Sequence, residues 1–140
     1  MNPQTASLRP LSAKVWVTGQ VTPGQVRGLR DAGFTCVVNH RPDNEEPDQP
    51  LAAEIARTCD EAGMTVVHAP ARGLPDAAAV AATRAALDGL GEGGKAVFFC
   101  RSGMRSAAAW AMAERLAGGD PDTLREAALA AGYDLGRVPL

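Results

Sequence analysis

The sequence predicts an α/β fold: a mainly parallel sheet of four to five strands flanked by helices. Short apolar runs rich in β-branched residues alternate along the chain with longer stretches of helical propensity. Two helix-to-strand junctions, Asp31-Ala32-Gly33-Phe34-Thr35 and Glu61-Ala62-Gly63-Met64-Thr65, repeat one pattern of acid-Ala-Gly-apolar-Thr, the mark of a recurring βα unit. No third copy keeps that period, which excludes a solenoid. Parallel neighbours need crossover connections, and helices in those crossovers cover both faces of the sheet. Ligands of such sheets gather at the C-terminal ends of the strands. The 140 residues, 46% of them hydrophobic, suffice for one domain over 1–140 that buries a core without metal or disulfide staples. Residues 1–12 are expected to form a loosely ordered N-terminal arm.

The first strand is expected at Val15-Trp16-Val17-Thr18, closed by Gly19. Thr22-Pro23 supplies an N-cap and a proline at the first helical position, with Val26 and Leu29 on the buried face and Gly33 as the stop. Phe34 to Asn39 is the second strand, with Cys36 packed in the core. From His40 to Pro50 three prolines and four acids fall in eleven residues, so this stretch is a loop; it is read either as a solvated acidic connection or, because it leaves a strand's C-terminal end, as a loop beside the functional end of the sheet. Leu51 to Ala62 is a helix with Leu51, Ile55 and Cys59 along one buried stripe, and Met64 to His68 is the third strand. Asp76 caps an alanine-rich helix running to about Leu90, with Val80, Leu87 and Leu90 inward. The fourth strand follows Gly91-Glu92-Gly93-Gly94, a helix covers Ser106 to Leu116, and Asp120-Pro121 opens a last helix carrying Leu124, Ala128 and Ala131. Trp16 and Trp110 are expected in or near the core.

The chemistry concentrates at Val97-Phe98-Phe99-Cys100-Arg101-Ser102-Gly103-Met104-Arg105-Ser106, which reads as strand, tight loop, helix. Amides at a helix start lack intrahelical partners and, with the helix dipole, favour negative charge. A cysteine in that setting with arginines nearby is primed to act as a thiolate, so Cys100 is the candidate nucleophile. Gly103 allows consecutive amides to turn inward as an anion-holding nest. Arg101, Ser102, Gly103, Met104 and Ser106 are the candidate anion-binding residues, with the Ser102 and Ser106 hydroxyls as expected donors to the sulfur. His40 and His68, near strand ends, are read first as hydrogen-bonded structural residues and second as bases or donor-binding groups.

Composition excludes several classes of function. The formal net charge is −2 with basic residues scattered among acids, and no basic block is available to hold nucleic acid. No apolar run approaches the ~18 residues a membrane helix requires, and the N-terminus lacks an apolar targeting core, so a cytoplasmic location is expected. Cys36, Cys59 and Cys100 are odd in number and widely spaced, which fits neither a disulfide framework nor a zinc site. No metal and no cofactor are called for; the expected partner is a small anionic substrate.

With Cys100-Arg101-Ser102-Gly103-Met104-Arg105-Ser106 in place, nearly the whole chain resembles the family of the beta-lactamase-hydrolase-like protein, phosphatase-like domain. The resemblance also rests on Val17-Thr18-Gly19-Gln20, on Asn39-His40-Arg41-Pro42-Asp43-Asn44-Glu45-Glu46-Pro47, and on Ala131-Gly132-Tyr133-Asp134-Leu135. It implies a fold like that of dual-specificity protein tyrosine phosphatases and, in some relatives, association with a metallo-beta-lactamase-type enzyme of sulfide metabolism. Tyrosine phosphatases place five residues between cysteine and arginine, whereas this chain places four between Cys100 and Arg105, as rhodaneses do. Phe99 stands where those phosphatases usually have histidine, and Ala69-Pro70-Ala71-Arg72-Gly73-Leu74-Pro75 contains no acid. These departures favour a sulfurtransferase that forms a persulfide on Cys100, with Arg101 and Arg105 on the anionic donor. The alternative is a phosphatase acting through a phosphocysteine, with Arg105 on the phosphoryl oxygens. Asp43 is the preferred general acid over Glu45, Glu46 and Asp76, because Pro42 fixes the chain before it. A third reading is a non-catalytic oxyanion-binding module.

Overall fold

A strand covered on both faces must be apolar at successive positions, and the central strands of this protein are. The computed structural model describes residues 7–140. Its sheet has the order β1-β2-β5-β3-β4, with β2 (Val15–Thr18), β5 (Ala96–Phe99), β3 (Cys36–Asn39) and β4 (Thr65–His68) mutually parallel. β3 and β5 are buried at every position, whereas the edge strand β4 is exposed at both ends. β1 (Arg9–Pro10) adds an antiparallel edge, pairing with Trp16 and Val17.

Side chains alternate across the sheet and build two cores. Val37, Val97 and Phe99 point to one face and pack with Val26 and Leu29 of α1 (Pro23–Asp31) and Ile55 and Cys59 of α2 (Ala52–Glu61). Cys36, Val38, Ala96 and Phe98 point to the other, under α3 (Ala77–Asp88), α4 (Met104–Leu116) and α5 (Pro121–Ala130). Ala107, Ala109, Ala111 and Ala113 of α4 are fully buried, so that helix lies close against its neighbours. Trp110 is buried, and the half-buried Trp16 packs edge-on to Phe34 at 5.3 Å.

Local chemistry sets the helix starts. Thr22 Oγ1 accepts from Gln25 N while Gln25 Oε1 accepts from Thr22 N, a capping box ahead of Pro23. Asp76 and Asp120 cap α3 and α5 through Ala79 N and Thr123 N. Residues 1–6 of the expected arm lie outside the described residues; residues 7–12 carry β1 and the buried Leu11, and Arg9 Nη1 donates to Ala131 O at 3.1 Å. Two expectations need correction. Leu51 is the N-cap of α2 and 43% exposed, so the buried stripe begins at Ile55. α4 starts at Met104 rather than Ser106, because Gly103, at φ 98°, already turns the chain into the helix.

Cys36 and Cys59 are buried free thiols, as expected of core packing. Burial pushes the Cys36 thiol up and the Cys59 thiol to about 12, which keeps both protonated. Among the described residues no helix is long and apolar enough to cross a membrane, and no cluster of three metal-ligating side chains occurs.

Candidate active site

The parallel strands deliver four loops to one end of the sheet. β5 ends at Phe99, and Cys100 follows it, fully buried, under the start of α4. The loop then rises through Arg101 and Ser102 to Gly103, whose N–H donates to Cys100 Sγ at 3.1 Å. The first helical bond of α4 runs from Ala107 N to Gly103 O, so the amides of the preceding turn have no acceptor within the helix and face the cysteine end of it. Gly19 lets the loop after β2 pack on this turn: a Cβ there would lie 2.8 Å from Arg101 O. Gln20 N donates to that same carbonyl at 3.4 Å.

Arg105, on the first turn of α4, is held in a fork. Its Nη1 donates to Glu45 Oε2 at 2.8 Å and to Ala71 O at 2.6 Å, and its Nη2 donates to Glu45 Oε1 at 2.9 Å. The bidentate bond to Glu45, with help from the nearby Cys100 sulfur, pushes the Arg105 guanidinium further up from its ordinary value. The Arg105 fork, reinforced by Arg41, in turn pulls the Glu45 carboxyl down to about 2. Arg41 is 2% exposed and ties the loop after β3 together, donating to Glu45 at 2.9 Å, Glu46 at 2.6 Å and Gln20 Oε1 at 3.0 Å. Glu45 is thus shared between a buried arginine beneath it and Arg105 beside Cys100.

Under the loop lies a chain of neutral hydrogen bonds. Thr83 Oγ1 donates to Ala79 O at 2.8 Å, which leaves its oxygen to accept from His40 Nε2 at 2.9 Å. His40 Nδ1 is then the acceptor, and Ser106 Oγ donates to it at 2.8 Å. Burial beside Arg105 and His68 drives the His40 imidazole down to about 3, which keeps it in this neutral form. His40 and His68 are both hydrogen-bonded: the His68 Nε2–H donates to Arg41 O at 2.9 Å.

The structure brings Cys100, Gly103, Arg105 and Glu45 together and redistributes the other expected residues. The two serine hydroxyls were expected on the sulfur; instead Ser106 donates to His40, and Ser102 Oγ accepts a long 3.4 Å bond from Met104 N. Met104 contributes to the loop through that amide, at the first position of α4. The donor on Cys100 Sγ is the Gly103 amide, because the turn into α4 aims that N–H inward. Arg101 is 66% exposed and pairs with Glu46 at 3.4 Å. Asp43 lines a cleft of about 450 Å³ together with His68, Arg72, Leu74 and Asp76, next to the Ala71 carbonyl that holds Arg105. Its Oδ1 accepts from Ala52 N at 2.8 Å and so caps α2. Thr83 escaped the sequence reading, and Tyr133 entered it only within the closing motif, with no role at the site: Tyr133 Oη donates to Ser102 O at 3.1 Å, a contact between segments far apart in the chain.

Solved structures share this architecture. A protein described as a candidate phosphatase from Neisseria meningitidis Z2491 is 27% identical, with a TM-score of 0.73 over 92% of this chain and 91% of that one. Another candidate phosphatase, from Shewanella putrefaciens CN-32, is 23% identical with a TM-score of 0.73, over 94% and 80% of the two chains. A kinase associated phosphatase whose catalytic-site cysteine is replaced by serine is 16% identical, with a TM-score of 0.70 over 91% and 83%. Among curated proteins no sequence matches this chain. A family model covers residues 7–117, spanning the sheet, the loop that carries Glu45, the cysteine turn and α4: the chain belongs to the family of the beta-lactamase hydrolase-like protein, phosphatase-like domain.

Proposed function

We propose that this chain is a cysteine-dependent phosphatase that hydrolyses a small anionic phosphomonoester. The observation that carries the proposal is the meeting of Cys100 and Arg105 at the start of α4, with the Gly103 N–H on the sulfur, in a chain of the phosphatase-like family. Cys100 Sγ attacks phosphorus, the S–P bond forms and the P–O bond to the leaving group breaks. The loop amides and Arg105 hold the phosphoryl oxygens as charge develops on them. The departing oxygen takes a proton, for which Asp43 at the edge of the cleft is the preferred donor. Water then gives a proton to the Asp43 carboxylate and attacks phosphorus, the S–P bond breaks, and phosphate and the thiolate are released with Asp43 protonated again.

A second reading, persulfide formation and sulfur transfer, is favoured by the four residues between Cys100 and Arg105 and by the bond that Asp43 Oδ1 accepts from the Ala52 amide of α2. A thiolate that takes the outer sulfur of thiosulfate releases sulfite and needs no proton donor.

One preparation assayed with an aryl phosphate, and with thiosulfate plus cyanide, separates the two. Phosphate release that disappears in Cys100→Ser and falls about 10²- to 10⁴-fold in Asp43→Asn is the expected result. Thiocyanate formation without phosphate release would install the second reading instead.

A further inference from the structure

The chain's single tyrosine is placed against the cysteine turn by the way α5 ends. Gly132 takes φ 97° just past the helix; its N–H donates to Leu129 O at 2.9 Å, and the Tyr133 N–H reaches back to Ala128 O at 2.9 Å. This paired closure is a Schellman turn, and it fixes the direction in which the chain leaves α5. The half-buried Tyr133 packs against the core on the α4 side of the sheet, and its hydroxyl donates to Ser102 O at 3.1 Å.

The peptide unit that accepts this bond is the one that serves the sulfur. Ser102 C=O and Gly103 N–H belong to one trans peptide, in which the two dipoles point to opposite sides. Tyr133 holds the oxygen side, and the N–H side donates to Cys100 Sγ at 3.1 Å. We propose that Tyr133 is a positioning residue for Cys100, locking the Ser102–Gly103 peptide so that its N–H, rather than its carbonyl oxygen, faces the sulfur.

Two further observations explain why a lock is needed. A Cβ on residue 103 would collide with the Tyr133 hydroxyl, so only glycine fits beneath the ring, and glycine is the residue whose peptide units rotate most freely. A half-turn of this unit would remove the donor from the sulfur and present an oxygen dipole to it. Burial, with the neighbouring Cys100, pushes the Tyr133 phenol up from its ordinary value, so it remains a donor at neutral pH. Tyr133 lies in the C-terminal segment, beyond residue 117 where the family match ends.

The proposal rests on the reading of Cys100 as nucleophile, and its test needs no turnover. In Tyr133→Phe, the rate of carbamidomethylation at Cys100 is followed against pH by peptide mass, beside kcat and KM on an aryl phosphate. The expected result is an upward move in the midpoint of the alkylation profile, with kcat about tenfold lower and KM unchanged, the worth of one hydrogen bond to a charged group. If the midpoint moves while no substrate is turned over by either protein, the positioning role stands and the phosphatase reading falls. A midpoint equal to that of the unmodified protein would overturn the proposal. So would a Tyr133→Phe chain that fails to fold, since the hydroxyl would then serve stability rather than aim.

Discussion

At the scale of single residues, Ser106 shows how one hydrogen bond decides a role. Its hydroxyl has one proton, and that proton goes to His40 Nδ1, because Thr83 has spent its own on Ala79 O and so takes the proton on Nε2. Every member of the chain is buried, so removal of one leaves a polar atom without water to replace the partner. Ser106→Ala is therefore expected to cost about 1–3 kcal/mol of unfolding free energy in urea melts, through the stranded His40 nitrogen. The same variant should alkylate at Cys100 as fast as the unmodified protein, since the donor on the sulfur is the Gly103 amide. A large drop in alkylation rate would return Ser106 to the sulfur. Glu45 sits at the opposite pole: it touches Arg105 with both oxygens, so Glu45→Gln keeps the shape and loses the charge. Misaim of the arginine is expected to lower kcat by up to about 10²-fold, measured beside Glu46→Gln, whose half-exposed carboxylate does not touch Arg105 and should leave kcat nearly unchanged.

At the scale of elements, Asp43 joins a loop to a helix. α2 begins at Ala52 behind Leu51, whose side chain makes no cap, and the carboxylate of Asp43 supplies the missing acceptor at 2.8 Å. Asp43→Ala should lower stability by about 0.5–2 kcal/mol, the usual worth of a capping side chain, with a matching loss of protection in amide exchange at the first turn of α2. Asp43→Asn keeps an oxygen that can accept the same bond, so thermal melts of the two variants report the cap while phosphate release by Asp43→Asn reports proton donation. This connection marks where sequence reading stopped. The strands, the capping residues Thr22, Asp76 and Asp120, and the strand-turn-helix around Cys100 were legible because each is written in adjacent residues. Gly103 could be assigned its turn because a glycine between a strand and an alanine-rich helix has few other uses. The cap of α2 by a residue nine positions earlier was not legible, nor was the pairing of β1 with β2, for two residues of strand leave no period to read. The roles of Tyr133, named only within the closing motif, and of Thr83 were unreadable for a stronger reason: what they do depends on which helices α4 packs against, and no local pattern encodes that.

At the scale of the whole molecule, the same groups that shape the site make the fold sensitive to acid, in two successive windows. His40 is buried neutral, with its pKa depressed to about 3 by burial, whereas in the unfolded chain it takes a proton near its ordinary 6.5. Between those values the unfolded state binds more protons than the folded one, so stability is fully present above pH 6.5 and falls as the pH drops toward 3. The slope is at most about 1.4 kcal/mol per pH unit from this one group. Glu45 acts lower down: held at about 2 by its arginines against an ordinary 4.5, it stabilises the fold above pH 4.5 and loses that contribution as the pH falls toward 2. Urea melts at pH 6.5 and pH 5 therefore sample His40 before Glu45 begins to titrate. The unmodified protein is expected to lose up to about 2 kcal/mol across that interval, and His40→Gln, which keeps a polar side chain and cannot take up a proton, should flatten the difference. Equal slopes in the two proteins would mean that His40 is protonated inside the fold. In that state its Nδ1 would donate, and Ser106 would have to turn its hydroxyl proton away, reversing the Ser106–His40 bond while the bond from Nε2 to Thr83 keeps its direction.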